Sequence, residues 1–325
     1  PLPAPEAARE EVRLESQAEA ERAADQAMTA TTDLVTTSIR ADQAPTGIRA
    51  ELVPAGIRAE LVPAGIRAEL VPAGIHALPR GAQIGTLLHD LIEAIADEGF
   101  HHHAQRPGSI ARLISRTSHP GLRSLDEAQV DVVAQSLDTL LATRWRMPTG
   151  GELALAEASR YQAEMEFWLA VDEADLAQLD RLVCEHVAPG RPRPPLSGPA
   201  INGMLKGFID LTVEHDGRYY LIDWKSNWLG PDAAAYTPEA LEQAMLDSRY
   251  DLQFVLYLVA LHRHLRDRLP GYDYDRHVGG AAYVFLRGIE AATDASDNAG
   301  VYTCLPDRVL IESLDRLFAG GEVAA

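Results

Sequence analysis

The sequence predicts an α/β fold with a mixed central sheet flanked by helices. Three observations carry that prediction. Amphipathic helical patterns fill the region before residue 170, and a two-residue hairpin signal stands at Asp216-Gly217. A long helical pattern over 239–268 then separates the hairpin from a continuous apolar strand, GGAAYVFLRGIE. Helices, an antiparallel pair, then helix and strand make a sheet with both kinds of neighbour.

Taken in order, residues 1 to 45 are rich in Ala and Glu, with nine acidic residues against four arginines. They predict a solvated helix or a disordered tether. Residues 47 to 74, GIRAELVPAGIRAELVPAGIRAELVPAG, repeat a nine-residue unit three times. Solenoid repeats are usually longer, about 20 residues or more. A Pro and a Gly in every unit also interrupt any helix, so the repeat reads as a lengthened linker. Residues 1–80 are therefore expected to be an acidic tether and 81–325 a globular domain.

GAQIGTLLHDLIEAIADEGF begins the globular part. Thr86 is read as the cap of a helix carrying Leu87, Leu88, Leu91, Ile92 and Ile95 on one face, with His89 in its first turn. Residues 124–143 and 151–168 read as further helices, and APGRPRPPLSGPA as an extended passage. PDRVLIESLDRLFAG reads as a closing helix ended near Gly320.

Composition narrows the function classes. The two cysteines, Cys184 and Cys304, are far apart and in no paired motif, against a disulfide scaffold or a four-cysteine iron–sulfur cluster. No apolar run approaches about 20 residues, and no secretory signal opens the chain, so a reducing, cytoplasmic setting is expected. The first residue is not Met, which suggests a fragment or a processed chain. A net charge of −19 argues against a broad nucleic-acid-binding surface, though carboxylates are what a divalent-cation site needs.

The hairpin is the most informative segment. With Asp216-Gly217 as the loop, cross-strand partners have numbers summing to 433, so Asp210 is expected opposite Asp223. Theirs would be a non-hydrogen-bonded pair with Cα atoms about 4.5 Å apart. Facing carboxylates repel and require a shared proton or a cation between them. Lys225 shares their face, two residues past Asp223, and it is one of only two lysines among 29 basic residues. An ion pair on a solvated face is one reading of the trio, and an Mg²⁺ or Mn²⁺ site is the other.

Asp210, Asp223 and Lys225, as D–(12 residues)–D-x-K, resemble the signature of the PD-(D/E)xK nuclease superfamily. PRGAQIGTLLHDLIE, LKGFIDL, GRYYLIDWKSNWLG, YDLQFVLYLVALHRHLR and GYDYDRHVGGAAYVFLRG together resemble the nuclease domain of RecB-type proteins. The resemblance implies a restriction-endonuclease-like core with extra N-terminal helices, working as a Mg²⁺-dependent deoxyribonuclease. It implies metal held by His89, Asp210, Asp223 and the Trp224 carbonyl, with Lys225 positioning the attacking water. Mn²⁺ could substitute, and Ca²⁺ would inhibit or mimic. Gln253 and Tyr257, at i and i+4 of one helix, would support the lysine or contact DNA, though Tyr257 also reads as core packing. Glu166 matches a helical acidic residue near such sites, but reads more readily as an exposed or ion-paired helix residue than as a ligand.

Implied partners are single- and double-stranded DNA, a helicase region, RecC- and RecD-like subunits and RecA, with no membrane. A catalytically silent platform for those subunits or for RecA is the alternative. His101, His102 and His103 read as a solvated helix end, because neighbours on one turn do not converge. Arg144-Trp145-Arg146 and Arg191-Pro192-Arg193 are candidate DNA contacts.

Overall fold

A computed structural model describes residues 73–198, 200–289 and 298–321. The acidic stretch and nearly all of the nine-residue repeats lie outside them. Five strands make one mixed sheet: β3 (Tyr161–Ala174), β4 (Ile201–His215), β5 (Arg218–Lys225), β6 (Val278–Phe285) and β7 (Val301–Cys304). They lie side by side in chain order. Neighbours are antiparallel except β5 and β6, which run parallel. A short hairpin, β1 (Arg144–Arg146) with β2 (Glu152–Ala154), stands apart.

Helices cover both faces. On one side α1 (Ala82–Glu98), α2 (Phe100–Ala104), α3 (Ser109–Arg116) and α4 (Glu127–Ala142) bury an apolar cluster against Leu211, Val213, Tyr220, Ile222 and Trp224. On the other, α5 (Leu176–His186), α6 (Pro238–Asp247), α7 (Tyr250–Arg268) and α9 (Arg308–Phe318) pack on Ile209, Leu221, Tyr283 and Phe285. The four-residue α8 (Tyr274–His277) leads into β6. The parallel step from β5 to β6 requires a crossover, and α6 and α7 provide it.

Several expectations give way to tertiary context. Residues 151–168 are not a helix: they hold β2 and the first half of β3. Ala, Glu, Met and Leu favour helix locally, but eleven register pairs with β4 outweigh that preference. The pattern over 239–268 is two helices, because Arg249 takes a left-handed conformation with φ 54° between them. Its guanidinium is buried there, donating to Asp180, Asp251 and the Pro194 carbonyl. Helix α1 begins at Ala82, so Thr86 sits inside it rather than capping it, and His89 lies in its second turn.

Asp126 and Gln129 form the reciprocal capping box of α4. Gly320, with φ 70°, follows the closing helix as expected. Both cysteines are free. His101 and His102 are solvated, but His103 is only 2 % exposed and bonds Ser109 Oγ, since the five-residue α2 turns it inward.

Candidate active site where two strands part

Asp216 and Gly217 both have positive φ, 51° and 75°, as a two-residue hairpin of this hand demands. The register runs as read, from His215 opposite Arg218 to Leu211 opposite Ile222. There it stops, one step short of the expected Asp210–Asp223 pair. In a continued ladder the Trp224 N–H would reach the Ile209 carbonyl; instead it donates to Asp210 Oδ2 across 2.8 Å. The carboxylate thus takes over a ladder bond and lets the strands separate.

Lys225 closes the other side of this opening. Its Nζ lies 2.5 Å from Asp223 Oδ2, 3.0 Å from Gln253 Oε1 and 4.0 Å from the Tyr250 ring centre. Gln253, on α7, has its amide fixed from three directions. Its Oε1 accepts from Lys225 and from the Tyr283 hydroxyl, while Nε2 donates to the Tyr257 hydroxyl at 3.0 Å. Tyr257 also meets Phe167 edge-on, so it is both a packing residue and the anchor of that amide. The Trp224 side chain points the opposite way, buried edge-on against Trp145.

Electrostatics at this opening are unbalanced. Burial, reinforced by the neighbouring Asp223 carboxylate, pushes the Asp210 carboxyl up to about 8. Burial alone would lower the Lys225 ammonium, but Asp223 beside it holds it above its ordinary value. Asp223 is 4 % exposed, and although Lys225 is close, its Oδ2 has no hydrogen bond of good geometry.

Helix α1 brings in His89, whose Nδ1 is 3.5 Å from Asp210 Oδ2 and which lines one recess with Trp224. Burial lowers the imidazole pKa, keeping it a neutral donor set. Two local features seat α1. A Cβ on Gly85 would stand 2.8 Å from Ser226 Oγ, so only glycine admits this approach to the strand end. Arg287, 1 % exposed, donates to the Ile75, Leu78 and Pro79 carbonyls as well as to Ser226, tying the segment before α1 to the residue after Lys225.

Some expected residues do not reach this place. Glu166 is on a strand, not a helix, and its carboxylate meets Trp168 Nε1 and Lys206 on the surface. The acidic side chain that sequence reasoning missed is Glu164, two residues earlier. The β3–β4 register, with Ala163 opposite Leu211 and Met165 opposite Ile209, brackets Glu164 and Asp210, and Glu164 takes a left-handed φ of 46° there. It lines a recess with His89, Glu93, Asp210 and Trp224. Burial, with help from Glu93, raises its pKa. A helical reading of 151–168 hid it; pairing that segment against LKGFIDL would have found it.

Parts of the arginine clusters are built into the fold. Trp145 is 1 % exposed and offers no stacking surface, while Arg144 pairs with Glu157. Arg193 is buried against Asp251 at 2.6 Å, and Arg191 meets Glu242.

Among the described residues no three His, Cys, Asp or Glu side chains form a ready-made metal cage. The donor set still suits a divalent cation. Two carboxylates are held together against their repulsion, one with an undirected buried oxygen, beside a neutral imidazole and a backbone group.

Residues 64–319 match the family model described as the PD-(D/E)XK nuclease superfamily. The chain is 42% identical over 246 residues to the RecBCD enzyme subunit RecB of Escherichia coli, an alignment covering 75% of this chain and 20% of that protein. Against RecB of Haemophilus influenzae identity is 35% over 246 residues, covering 74% and 19%. Against RecB of Mycobacterium tuberculosis it is 33% over 277 residues, covering 76% and 24%. The chain thus spans about a fifth of the length of the curated relatives it matches.

Proposed function

The chain belongs to the PD-(D/E)XK nuclease superfamily, with RecB subunits as relatives, and from that premise we propose that it hydrolyses DNA phosphodiester bonds with the help of Mg²⁺. One observation supports this above others: Asp210, Asp223, Lys225 and His89 converge where β4 and β5 part, with the lysine held by a fully oriented glutamine. An ion pair on a solvated face would need none of that burial.

His89, Asp210, Asp223 and the Trp224 carbonyl would hold the cation. When bound, it supplies Lewis acidity toward water and toward the phosphoryl oxygen. Lys225 presents a compact ammonium to the negative charge that develops on the phosphate, and Gln253 fixes where that ammonium stands. Asp223 balances Lys225 and keeps it charged at neutral pH. Tyr257 and Tyr283 act through Gln253, each holding one end of its amide.

The same reading gives the domain from residue 81 to 325 as the nuclease and residues 1–80 as its tether. It makes the chain part of a RecBCD-type helicase–nuclease in double-strand-break repair and DNA degradation. Its partners would be the helicase region, RecC- and RecD-like subunits and RecA, in the cytoplasm. No helix among the described residues is long and apolar enough to cross a membrane.

The test is cleavage of end-labelled single-stranded DNA by the purified chain, in Mg²⁺ and in Ca²⁺, beside Lys225→Ala and Asp223→Ala. Cutting in Mg²⁺ that falls by roughly 10²- to 10³-fold or more in each variant is expected. A folded parent that cuts nothing in Mg²⁺ or Mn²⁺ defeats the catalytic reading.

A further inference from the structure

Among the described residues four large apolar side chains are exposed, and three of them share one place: Trp168 (55%), Met204 (55%) and Phe208 (43%). They lie on the β3–β4 ribbon. The register puts Glu166 opposite Phe208, Trp168 opposite Lys206 and Ala170 opposite Met204, so all six occupy one face. The intervening residues, Met165, Leu169, Val171 and Ile209, are buried on the other face. The exposure therefore follows the pleat and is confined to one side.

This face leads to the candidate active site. Asp210 follows Phe208 by two residues on β4, a step of about 7 Å along a strand. The outer half of β4 has no β5 beside it, because that pairing begins at Leu211. Trp168 and Phe208 thus form an open shelf that starts one step from Asp210.

Chemistry selects the occupant. Lys206, the second of two lysines in a chain of net charge −19, has its Nζ 5.1 Å from the Trp168 ring centre and 5.0 Å from that of Phe208. Its Nζ is 3.3 Å from Glu166 Oε1, and the same oxygen accepts from Trp168 Nε1 at 2.6 Å, so the indole is pinned while its face stays open. Aromatic faces beside a cation are what unpaired bases on a phosphate backbone require. A duplex keeps its bases stacked on each other and offers a shelf nothing to stack on.

We propose that Trp168, Phe208 and Lys206 form a stacking platform that takes the bases and backbone of a single DNA strand beside the Asp210 carboxylate. The proposal rests on the nuclease reading only for the identity of the neighbouring site. A second aromatic seat on the strand would fix how it enters, while Lys206 holds a phosphate between the two rings.

The experiment is binding of the full chain to a 20-nucleotide oligothymidylate and to a blunt duplex of equal length, in EDTA, by fluorescence anisotropy and tryptophan quenching. Trp168→Ala and Phe208→Ala are expected to weaken oligothymidylate binding by roughly 5- to 100-fold while duplex binding stays the same. Quenching should fall sharply in Trp168→Ala, since Trp145 and Trp224 are buried and the half-buried Trp228 ring is covered by Arg80. Lys206→Ala should reduce the salt dependence by about one phosphate contact.

Unchanged affinity and quenching in variants that melt like the parent overturn the platform and reassign the shelf to a protein contact, as does a parent that fails to bind the oligomer. Because no cutting occurs in EDTA, the two readings separate. A parent that binds through these residues but never cuts keeps the platform and loses the nuclease; one that cuts with the variants binding normally does the reverse.

Discussion

Trp224 donates its backbone N–H to the carboxylate of Asp210, at the point where β4 and β5 stop pairing. An asparagine at 210 still offers an oxygen to that N–H and is neutral beside Asp223 without taking up the proton that a carboxyl pushed up to about 8 must bind on folding. Asp210→Asn should therefore leave the fold intact and raise the metal-free Tm at pH 7.5 by about 2–4 °C, the shift expected for roughly 1 kcal/mol in a domain of this size. Mg²⁺ should raise the Tm of the parent and not of the variant. Thermal melts with and without the ion check both; a lower metal-free Tm in the variant would contradict the repulsion.

Gln253 joins Lys225 by hydrogen bonds to the hydroxyls of two tyrosines, 257 and 283. Gln253→Ala should reduce cleavage by about 10- to 100-fold without changing the Tm by more than a few degrees. In a Lys225→Ala background the same change should cost little more, since the glutamine acts through the lysine. Single-turnover rates of the two variants and their combination provide the measurement, and additive losses would separate the residues.

The site was legible in sequence wherever local geometry sets it. Asp216-Gly217 fixes a turn, and the turn fixes the register as far as Leu211 opposite Ile222, which brings Asp210 and Asp223 to the same end of the ladder although they do not pair. Gln253 and Tyr257 are pointed out by the family resemblance, and the helical period adds only that they share a face. What could not be read locally is β3, where helix-favouring residues are held extended by pairing with β4, and Glu164 was lost with it. Arg249 is a second case: its left-handed backbone is sustained by the buried carboxylate of Asp251 and the half-buried one of Asp180, which no window around 249 contains in full. The end of the β4–β5 ladder likewise depends on a side chain replacing a backbone acceptor, a substitution that alternation does not foresee.

Gly85 tests how closely α1 must approach the strand end. An alanine there would place its Cβ 2.8 Å from Ser226 Oγ and 3.7 Å from Ser226 Cβ. Gly85→Ala alone should push α1 outward, withdraw His89 and cost on the order of 1–3 kcal/mol of stability as overpacking does. Adding Ser226→Ala removes the clashing oxygen and leaves only ordinary contact. The double variant should recover most of the stability and of the cleavage. If Ser226→Ala does not rescue, helix approach is not what glycine protects. Urea midpoints of the three variants decide it.

Asp315 on α9 gives the chain a pH-dependent clasp behind the sheet. It accepts from Arg263 Nε and from Arg266 Nη1, the latter at 2.7 Å, and Arg263 continues to the Ala170 carbonyl of β3. Burial alone would raise this carboxyl, but the two guanidiniums hold it below the ordinary carboxylate value. A depressed folded-state pKa means that the stabilisation is complete above the unfolded value, about 4, and is lost as pH falls through the lower folded one. At pH 7, Asp315→Asn should cost about 1.5–3 kcal/mol, the scale of hydrogen bonds to a charged group. As pH falls below the unfolded value the gap between parent and variant should narrow, because the parent carboxyl takes up a proton too. Urea unfolding of both at pH 7, 5 and 3 measures the gap. A gap that persists undiminished at pH 3 would mean that the clasp works by packing, whereas its closure would assign the grip on β3, and on the strand that carries Trp168, to charge.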